Sequence, residues 1–148
     1  CGKRRGNRMI LFDEIIVGDH LPVLNTSKIS RTTLALYAGA SGDVNPIHID
    51  IDFAKKAGLD DVFAHGMLSM AYLGRLITNW VDQRCIQSID VRFMSITPVY
   101  AQIICTGIIQ KIDIVDKQKI IEILVEAKDE NTGDIKISGL ATINLTRT

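Results

Sequence analysis

The sequence has no net charge, no paired-cysteine pattern and no predicted transmembrane helix. Seventeen Lys and Arg residues balance seventeen Asp and Glu residues, so no excess charge marks a nucleic-acid or anionic-membrane binder. Cys1, Cys85 and Cys105 are widely spaced and form no CxxC pair, which excludes an obvious disulfide framework and favours a reducing, cytoplasmic setting. The uncharged run from Val62 to Gly74 is shorter than the roughly 18 residues that a membrane span needs.

Motifs that mark several common enzyme classes are also missing. There is no GxGxxG fingerprint, Walker loop, GxSxG elbow or HExxH motif, which removes the signals for dinucleotide binding, phosphoryl transfer, serine hydrolysis and zinc proteolysis. Neither Cys85 nor Cys105 has a histidine beside it in the sequence. We therefore expect no cofactor.

Length and composition fit one globular domain. The chain has 148 residues, of which 47% are hydrophobic and 23% charged, and this is enough apolar material for a single core. Residues 1–8 are basic and precede Met9, so we interpret them as a disordered tail or an expression remnant. The predicted domain covers residues 9–148.

The second half of the chain has the alternation typical of β-strands. Apolar residues recur at every second position over residues 89–93, 121–127 and 135–145, and an apolar stretch covers 103–114, as half-buried or buried strands require. Asn131-Thr132-Gly133 is a turn signal. Because the links look too short for a crossover connection, the pattern predicts an antiparallel meander of about four strands.

The first half predicts helices. Ser30 can cap a helix that runs to about Ala40, and Asp52 can cap a short helix over 53–57. Residues 66–81 place apolar groups on most of a helix circumference, so this helix should be buried. The fold class is α+β. A curved antiparallel sheet wrapped around the long helix, the hot-dog fold, and a sandwich with the helix on one face fit this pattern equally well.

Polar and titratable residues are concentrated between the first two helices. They are Asp43, Asn45, His48, Asp50 and Asp52. A turn enforced by Pro46 could bring Asp43 and His48 onto one water molecule as an acid/base pair, with Asn45 helping to orient it. Alternatively, Asp43 and Asn45 only satisfy backbone donors in a turn, and His48 lies at the surface.

Two further hypotheses concern the residues around this loop. His48, Asp50 and Asp52 alternate and could face one metal ion, but Asp52 is better explained as a helix cap, and we predict no metal site. Gly66 lies at the start of the long helix, where a free N–H could stabilise negative charge; it could also merely relieve crowding. His65 beside it could be a ligand, an acid or a structural histidine.

Two segments carry a family resemblance. The sequence from Tyr37 to His48, followed six positions later by Ala54, resembles the hydratase 2 motif of MaoC-like (R)-specific enoyl-thioester hydratases; Ala40 is the one departure and concerns packing. The segment Ala64–Leu68 is similar to the family's second signature at the start of its central helix. The chain also resembles the catalytic subunit of the mycobacterial 3-hydroxyacyl-thioester dehydratases, which belong to this family.

The resemblance implies a fold, an assembly and a reaction. The fold would be a hot-dog domain that dimerises edge to edge, with an identical or a related subunit. The reaction would be reversible hydration of trans-2-enoyl thioesters of coenzyme A or acyl carrier protein. Asp43, His48 and Asn45 would be catalytic, and the Gly66 N–H would bind the thioester oxygen. An acyl tunnel would be lined from among Phe63, His65, Met67, Met70 and Tyr72, although each apolar member also fits plain core.

Two rival functions remain open at this point. A hot-dog acyl-thioesterase would use a carboxylate and the same helix start, but the Asp-x-Asn-Pro-x-His spacing speaks against it. A non-catalytic partner subunit would hold the acyl chain for a catalytic mate, but the presence of both Asp43 and His48 speaks against that.

Overall fold

A computed structural model describes residues 15–147 of the chain. The predicted basic tail, residues 1–8, lies outside the described residues, as does the start of the predicted domain. The elements, in chain order, are β1 (Leu24–Asn25), α1 (Arg31–Ser41), α2 (Ile51–Lys56), α3 (Gly66–Thr78), β2 (Ile86–Phe93), β3 (Ile103–Val115), β4 (Gln118–Asp129) and β5 (Ile135–Asn144), with 3₁₀ turns at Pro46–His48, Gln83–Cys85 and Leu145–Arg147.

Local side-chain caps define the first two helices. The Ser30 hydroxyl accepts a 3.0 Å hydrogen bond from Thr33 N–H at the start of α1, so the predicted cap is confirmed. Gly42, with φ +78°, lets the chain leave α1. The predicted cap of α2 is wrong: Asp50, not Asp52, accepts the first-turn N–H groups. Asp52 is one of these donors and lies inside the first turn, where its negative charge suits the helix dipole.

The five strands form one antiparallel sheet in the order β1-β3-β4-β5-β2. The β3-β4-β5 meander is confirmed, but β2 pairs with β5 instead of β3. The predicted antiparallel pairing is therefore correct, but the predicted meander is wrong for β2, which does not lie beside β3. The end of β2 and the start of β3 lie at the same end of the sheet, so residues 94–102 need to cover only about 14 Å across its edge.

Helix α3 lies against the sheet with one face still open. Its buried residues are Leu68, Ser69, Leu73, Leu76 and Ile77. Met67, Ala71 and Arg75 are exposed, so the predicted burial around the whole circumference is wrong for the described chain. The helix ends at Thr78, and the Trp80 and Val81 N–H groups then turn back onto the Ile77 carbonyl. None of the helices within residues 15–147 is long and apolar enough to span a membrane.

Among the described glycines, Gly139 in β5 is the one at which an added Cβ would make the shortest contacts. A Cβ on Gly139 would lie 2.6 Å from Val91 Cα and closer still to the Asp90 carbonyl oxygen. Both neighbours are backbone atoms, so they cannot move aside without shifting a strand. Only glycine therefore fits this part of the ladder.

We predict that Gly139→Ala lowers the free energy of unfolding by about 1–3 kcal/mol, because the added methyl group forces the two strands apart. Gly39→Ala is the matched control: Gly39 lies in α1 with open space around it, and alanine there should stabilise the helix by up to about 1 kcal/mol. Urea unfolding measures both changes. Equal midpoints for Gly139→Ala and the unaltered protein would refute the packing argument.

Candidate active site

A tight polar turn connects α1 to α2. The Ser41 hydroxyl accepts a hydrogen bond from Asp43 N–H, Asp43 Oδ1 accepts one from Asn45 N–H at 3.3 Å, and Asn45 Oδ1 accepts one from Ile47 N–H at 3.1 Å. The expectation that Asp43 and Asn45 satisfy backbone donors is thus correct. The Asn45 oxygen caps the 3₁₀ turn, and its amide nitrogen can still donate to another group.

His48 ends this turn with its ring facing inward. Its exposed fraction is 8%, so the alternative of a surface histidine is wrong. Nδ1 lies 2.7 Å from the Phe63 carbonyl oxygen, and the Phe63 ring packs edge-on against the imidazole. A carbonyl oxygen can only accept, so Nδ1 carries the proton and Nε2 of the neutral ring keeps a lone pair. That nitrogen can accept a proton.

His65, at the cap position of α3, packs against His48. It is 1% exposed, its ring centroid lies 4.0 Å from that of His48, and Tyr37 meets it edge-on at 5.0 Å. Nε2 donates a 3.0 Å hydrogen bond to the Asp43 carbonyl oxygen, which assigns the proton of the neutral ring to Nε2. Nδ1 is buried without a hydrogen-bond partner. Among the three roles considered, these contacts favour a structural histidine that holds the Asp43 backbone.

The two predicted catalytic side chains come within reach of one water molecule. Three side chains, Asp43, His48 and His65, each have one potential ligand atom, and these three atoms lie within 4.8 Å of one another. Two hydrogen bonds of ordinary length that meet at a water span about 4.5–5 Å. Asp43 is exposed whereas His48 is buried, so the pair lies at the boundary between solvent and core. This distance is compatible with the acid/base hypothesis, which stays a prediction.

Gly66 places a backbone N–H beside this pair. It is the first residue of α3, His65 at the cap position makes no side-chain capping bond, and Gly66 is exposed. The first N–H groups of a helix have no partner within it and carry partial positive charge. A Cβ on Gly66 would lie 2.9 Å from Cε1 of Phe93. The glycine therefore permits close packing against the Phe93 ring.

The residues that could hold a metal ion differ from those that the sequence suggested. Asp50 is committed to capping α2, and the cluster in residues 15–147 that could hold an ion is instead Asp43, His48 and His65. One nitrogen of each imidazole already faces a carbonyl oxygen. Only one nitrogen of each ring is then left to bind an ion, and the absence of a metal stays a prediction.

The residues expected to line an acyl tunnel divide into two groups. Phe63, Met70 and Tyr72 are half-buried, and Met67 is 55% exposed, so Met67 does not belong to the core. Their contact with an acyl chain stays a prediction.

The sequence reasoning did not assign Tyr37 to the site. Its ring contacts His65 edge-on, and burial, followed by the charge of the Asp43 carboxylate, raises the pKa of Tyr37. Its position six residues before Asp43, near the end of α1, was the available signal.

We predict opposite tautomers for the two stacked imidazoles. When both rings are neutral, His48 should carry its proton on Nδ1 and His65 on Nε2, because each of these atoms faces a carbonyl oxygen. Long-range ¹H–¹⁵N NMR spectra of ¹⁵N-histidine protein report the protonated nitrogen directly. His20, which is exposed, serves as the internal reference. A His48 ring protonated on Nε2 alone would contradict the site geometry.

Three curated proteins match parts of this chain. The fatty acid synthase subunit β of Saccharomyces cerevisiae is 36% identical over 78 residues, which are 53% of this chain and 4% of that protein. The mitochondrial 3-hydroxyacyl-[acyl-carrier-protein] dehydratase of Arabidopsis thaliana is 34% identical over 65% of this chain and 55% of its own length. The (R)-specific enoyl-CoA hydratase of Rhodospirillum rubrum is 33% identical over 45% of this chain and 44% of its own. The matches thus span about half of the two smaller proteins.

Solved structures identify the architecture. The (R)-hydratase from A. caviae superposes with a TM-score of 0.78 at 19% identity, covering 89% of this chain and 98% of that one. A chain of the ChsH1-ChsH2 complex from Mycobacterium tuberculosis superposes with a TM-score of 0.74 at 21% identity, covering 87% and 97%. At this identity the likeness concerns the fold, which is the hot-dog fold. The alternative of a sandwich is thereby excluded, and similar chains occur in heteromeric complexes.

A family model settles the membership. The model of the MaoC like domain matches residues 16–133, which include the polar turn, the start of α3 and most of the sheet. The match covers well over half of the chain. This protein therefore belongs to the MaoC-like domain family.

Proposed function

We propose that this protein catalyses the reversible addition of water to trans-2-enoyl thioesters, giving (R)-3-hydroxyacyl thioesters. One observation carries the proposal: a potential ligand atom of Asp43 and one of His48 lie within 4.8 Å of each other. Nδ1 of His48 faces the Phe63 carbonyl, which leaves the lone pair on Nε2. The Arabidopsis dehydratase and the R. rubrum hydratase support it, since both names describe this chemistry. In this proposal the enzyme is a hydro-lyase of fatty acid metabolism.

His48 acts as the base that takes a proton from water. Its Nδ1–H is held by the Phe63 carbonyl, so Nε2 has the lone pair, and Asp43 orients the same water from the exposed side. The water oxygen bonds to C3 of the enoyl group as the C2–C3 π electrons move towards the thioester. The Asp43–His48 pair then returns a proton to C2, and because the two groups share that proton, we assign it to the pair.

Gly66 stabilises the intermediate charge. When water adds to C3, negative charge develops on the thioester oxygen before C2 is protonated. The Gly66 N–H, at the positive end of α3, donates a hydrogen bond to that oxygen, an interaction worth about 3–4 kcal/mol in other enzymes. The half-buried side chains Phe63, Met70 and Tyr72 provide apolar surface for the acyl chain, and Asn45 contributes its amide nitrogen to the water.

We also propose that the working unit pairs two copies, or this chain and a related one, across β2. This strand is paired with β5 on one side, and no residue within 15–147 pairs with its other side. An eight-residue strand with an open edge is a template for pairing with a second chain. The carrier is coenzyme A or acyl carrier protein, and the setting that the thiols suit is the cytoplasm.

The activity is tested with crotonyl-CoA. We expect loss of enoyl absorbance without release of free thiol, and an (R)-3-hydroxy product on chiral chromatography. Asp43→Asn and His48→Ala should each lower turnover by about 100- to 10,000-fold, because each removes one member of the acid/base pair. Asp52→Asn and His20→Ala make the same chemical changes at exposed positions outside the site and should keep the rate.

Two outcomes would contradict this proposal. Release of free thiol at the rate of enoyl loss would indicate a thioesterase, and a folded protein with no turnover on coenzyme A or carrier-protein thioesters would indicate a non-catalytic subunit. An Asp43→Asn enzyme with the unaltered rate would reject the assigned pair even if hydration were observed.

Gly66→Ala tests the oxyanion position. The methyl group would press on the exposed edge of the Phe93 ring, which can rotate into solvent, so the free energy of unfolding should change by less than about 1 kcal/mol. We expect kcat/KM to fall by about 10- to 1,000-fold, because the added methyl group and the displaced Phe93 ring then crowd the N–H. Adding Phe93→Ala to this variant should restore part of the rate. An unchanged kcat/KM in Gly66→Ala would remove Gly66 from the mechanism.

A further inference from the structure

Lys136 is an almost fully buried cation in β5. Its side chain is 5% exposed, and its charge partner, Asp134, is 62% exposed at 3.6 Å. Removing an ammonium group from water is unfavourable unless good partners replace the water, and a long pair with an exposed carboxylate contributes little. The position is therefore hard to explain by its ion pair, and the other contacts of the ammonium decide what it does.

A β-bulge turns this lysine inward. In the ladder between β4 and β5, Ala127 pairs with Ile137 and Lys128 pairs with Ile135, so Lys136 has no opposite residue. Strand geometry places consecutive side chains on opposite faces, yet Lys136 and Ile137 are both buried. Bulges re-aim side chains in this way and are common beside active sites. The register shift is the local reason that the ammonium faces the protein.

The ammonium holds the first residues of the link that crosses the sheet. Lys136 Nζ donates a 3.1 Å hydrogen bond to the Ile96 carbonyl oxygen. Two more bonds join the same segments: Met94 N–H donates to the Lys136 carbonyl at 2.8 Å, and the Ser95 hydroxyl donates to the Ile135 carbonyl at 3.0 Å. Three hydrogen bonds thus join residues 94–96 to the bulge. The Lys136 ammonium makes the one to Ile96, the last of these residues.

Thr97 and Pro98, the next two residues of this link, contact the segment that enters α3. Ala64 N–H donates a 2.8 Å hydrogen bond to the Thr97 carbonyl, and Phe63 forms a bridge with Pro98. Phe63 supplies the carbonyl that orients His48. Gly66, two residues after Ala64, supplies the N–H proposed for the thioester oxygen. The link behind residues 63–66 therefore sets the position of both groups.

We propose that Lys136 is a positioning residue for the hydration reaction. Through the Ile96 carbonyl it fixes residues 94–98, and these hold the backbone of residues 63–66 so that the His48 ring and the Gly66 N–H meet the substrate together. The inference rests on the proposed function for its catalytic consequence, but the mechanical connection does not depend on it. Misplacement of catalytic groups by about 1 Å can lower a rate by about 100-fold.

The test compares Lys136→Met, which keeps the aliphatic stem and removes the donor, with Lys136→Arg, which restores a donor. Asp134→Asn is the control, because it removes only the exposed charge partner. For each we would measure kcat and KM on crotonyl-CoA, thermal unfolding, and amide hydrogen exchange by NMR. The Ala64 amide is the decisive probe, since it bonds to the link, and the Ile123 and Val125 amides in β4 report the sheet.

In Lys136→Met we expect kcat to fall by about 10- to 100-fold, KM to change by less than about threefold, and exchange at Ala64 to accelerate by at least about tenfold while exchange at Ile123 and Val125 stays the same. Lys136→Arg should recover kcat to within about threefold, and Asp134→Asn should match the unaltered protein. A kcat unchanged in folded Lys136→Met, or acceleration of exchange equally at all three amides, would overturn the proposal.

A second variant covers failure of Lys136→Met to fold. Ser95→Ala removes one of the three hydrogen bonds to the bulge at an exposed position, so kcat should fall by a few fold with faster exchange at Ala64; no change in either would overturn the proposal. Absence of hydration by the unaltered protein would reject the proposed function alone, because the exchange at Ala64 still reports whether Lys136 holds the link.

Discussion

The site depends on the hydrogen bond between His48 Nδ1 and the Phe63 carbonyl. This bond joins the polar turn after α1 to the segment that enters α3, two pieces of chain that are fifteen residues apart. It fixes the tautomer of His48 and turns the ring away from solvent. A displacement of either piece would move the His48 ring relative to the Gly66 N–H. In the proposed mechanism, the contact between the two pieces therefore sets the distance between these groups.

Histidine stacking reinforces that contact. His65 lies against His48 and donates a hydrogen bond to the Asp43 carbonyl. One buried ring therefore holds the Asp43 backbone and packs on the His48 imidazole. Tyr37 closes the other side of His65. Of the candidate catalytic side chains in this turn, Asp43 and Asn45 are exposed and His48 is buried.

The sheet contributes through its irregular parts. The meander of β3, β4 and β5 builds the core, but the bulge at Lys136 and the link that crosses from β2 to β3 are the parts that reach the site. The irregular parts carry the contacts from Lys136 to Ile96 and from Thr97 and Pro98 to Ala64 and Phe63. In our proposal, the buried ammonium in β5 holds this link in place.

The sequence alone was enough to predict the α+β class, the meander, the cap at Ser30 and the candidate pair Asp43 and His48. These features depend on residues a few positions apart, so propensity, alternation and turn chemistry decide them. It did not distinguish Asp50 from Asp52 as a cap, because each can serve at that spacing, and it placed β2 beside β3, because local pattern carries no information about which strands pair.

The tertiary structure decided the rest. The stacking of His48 on His65, the hydrogen bond from His65 to the Asp43 carbonyl and the hydrogen bond from Lys136 to the Ile96 carbonyl join residues far apart in the chain. Such contacts arise only when the whole core closes, since packing around α3 and the shift of register in β5 bring these groups together. Local sequence determined which chemical groups were available, and the closure of the sheet determined which of them meet.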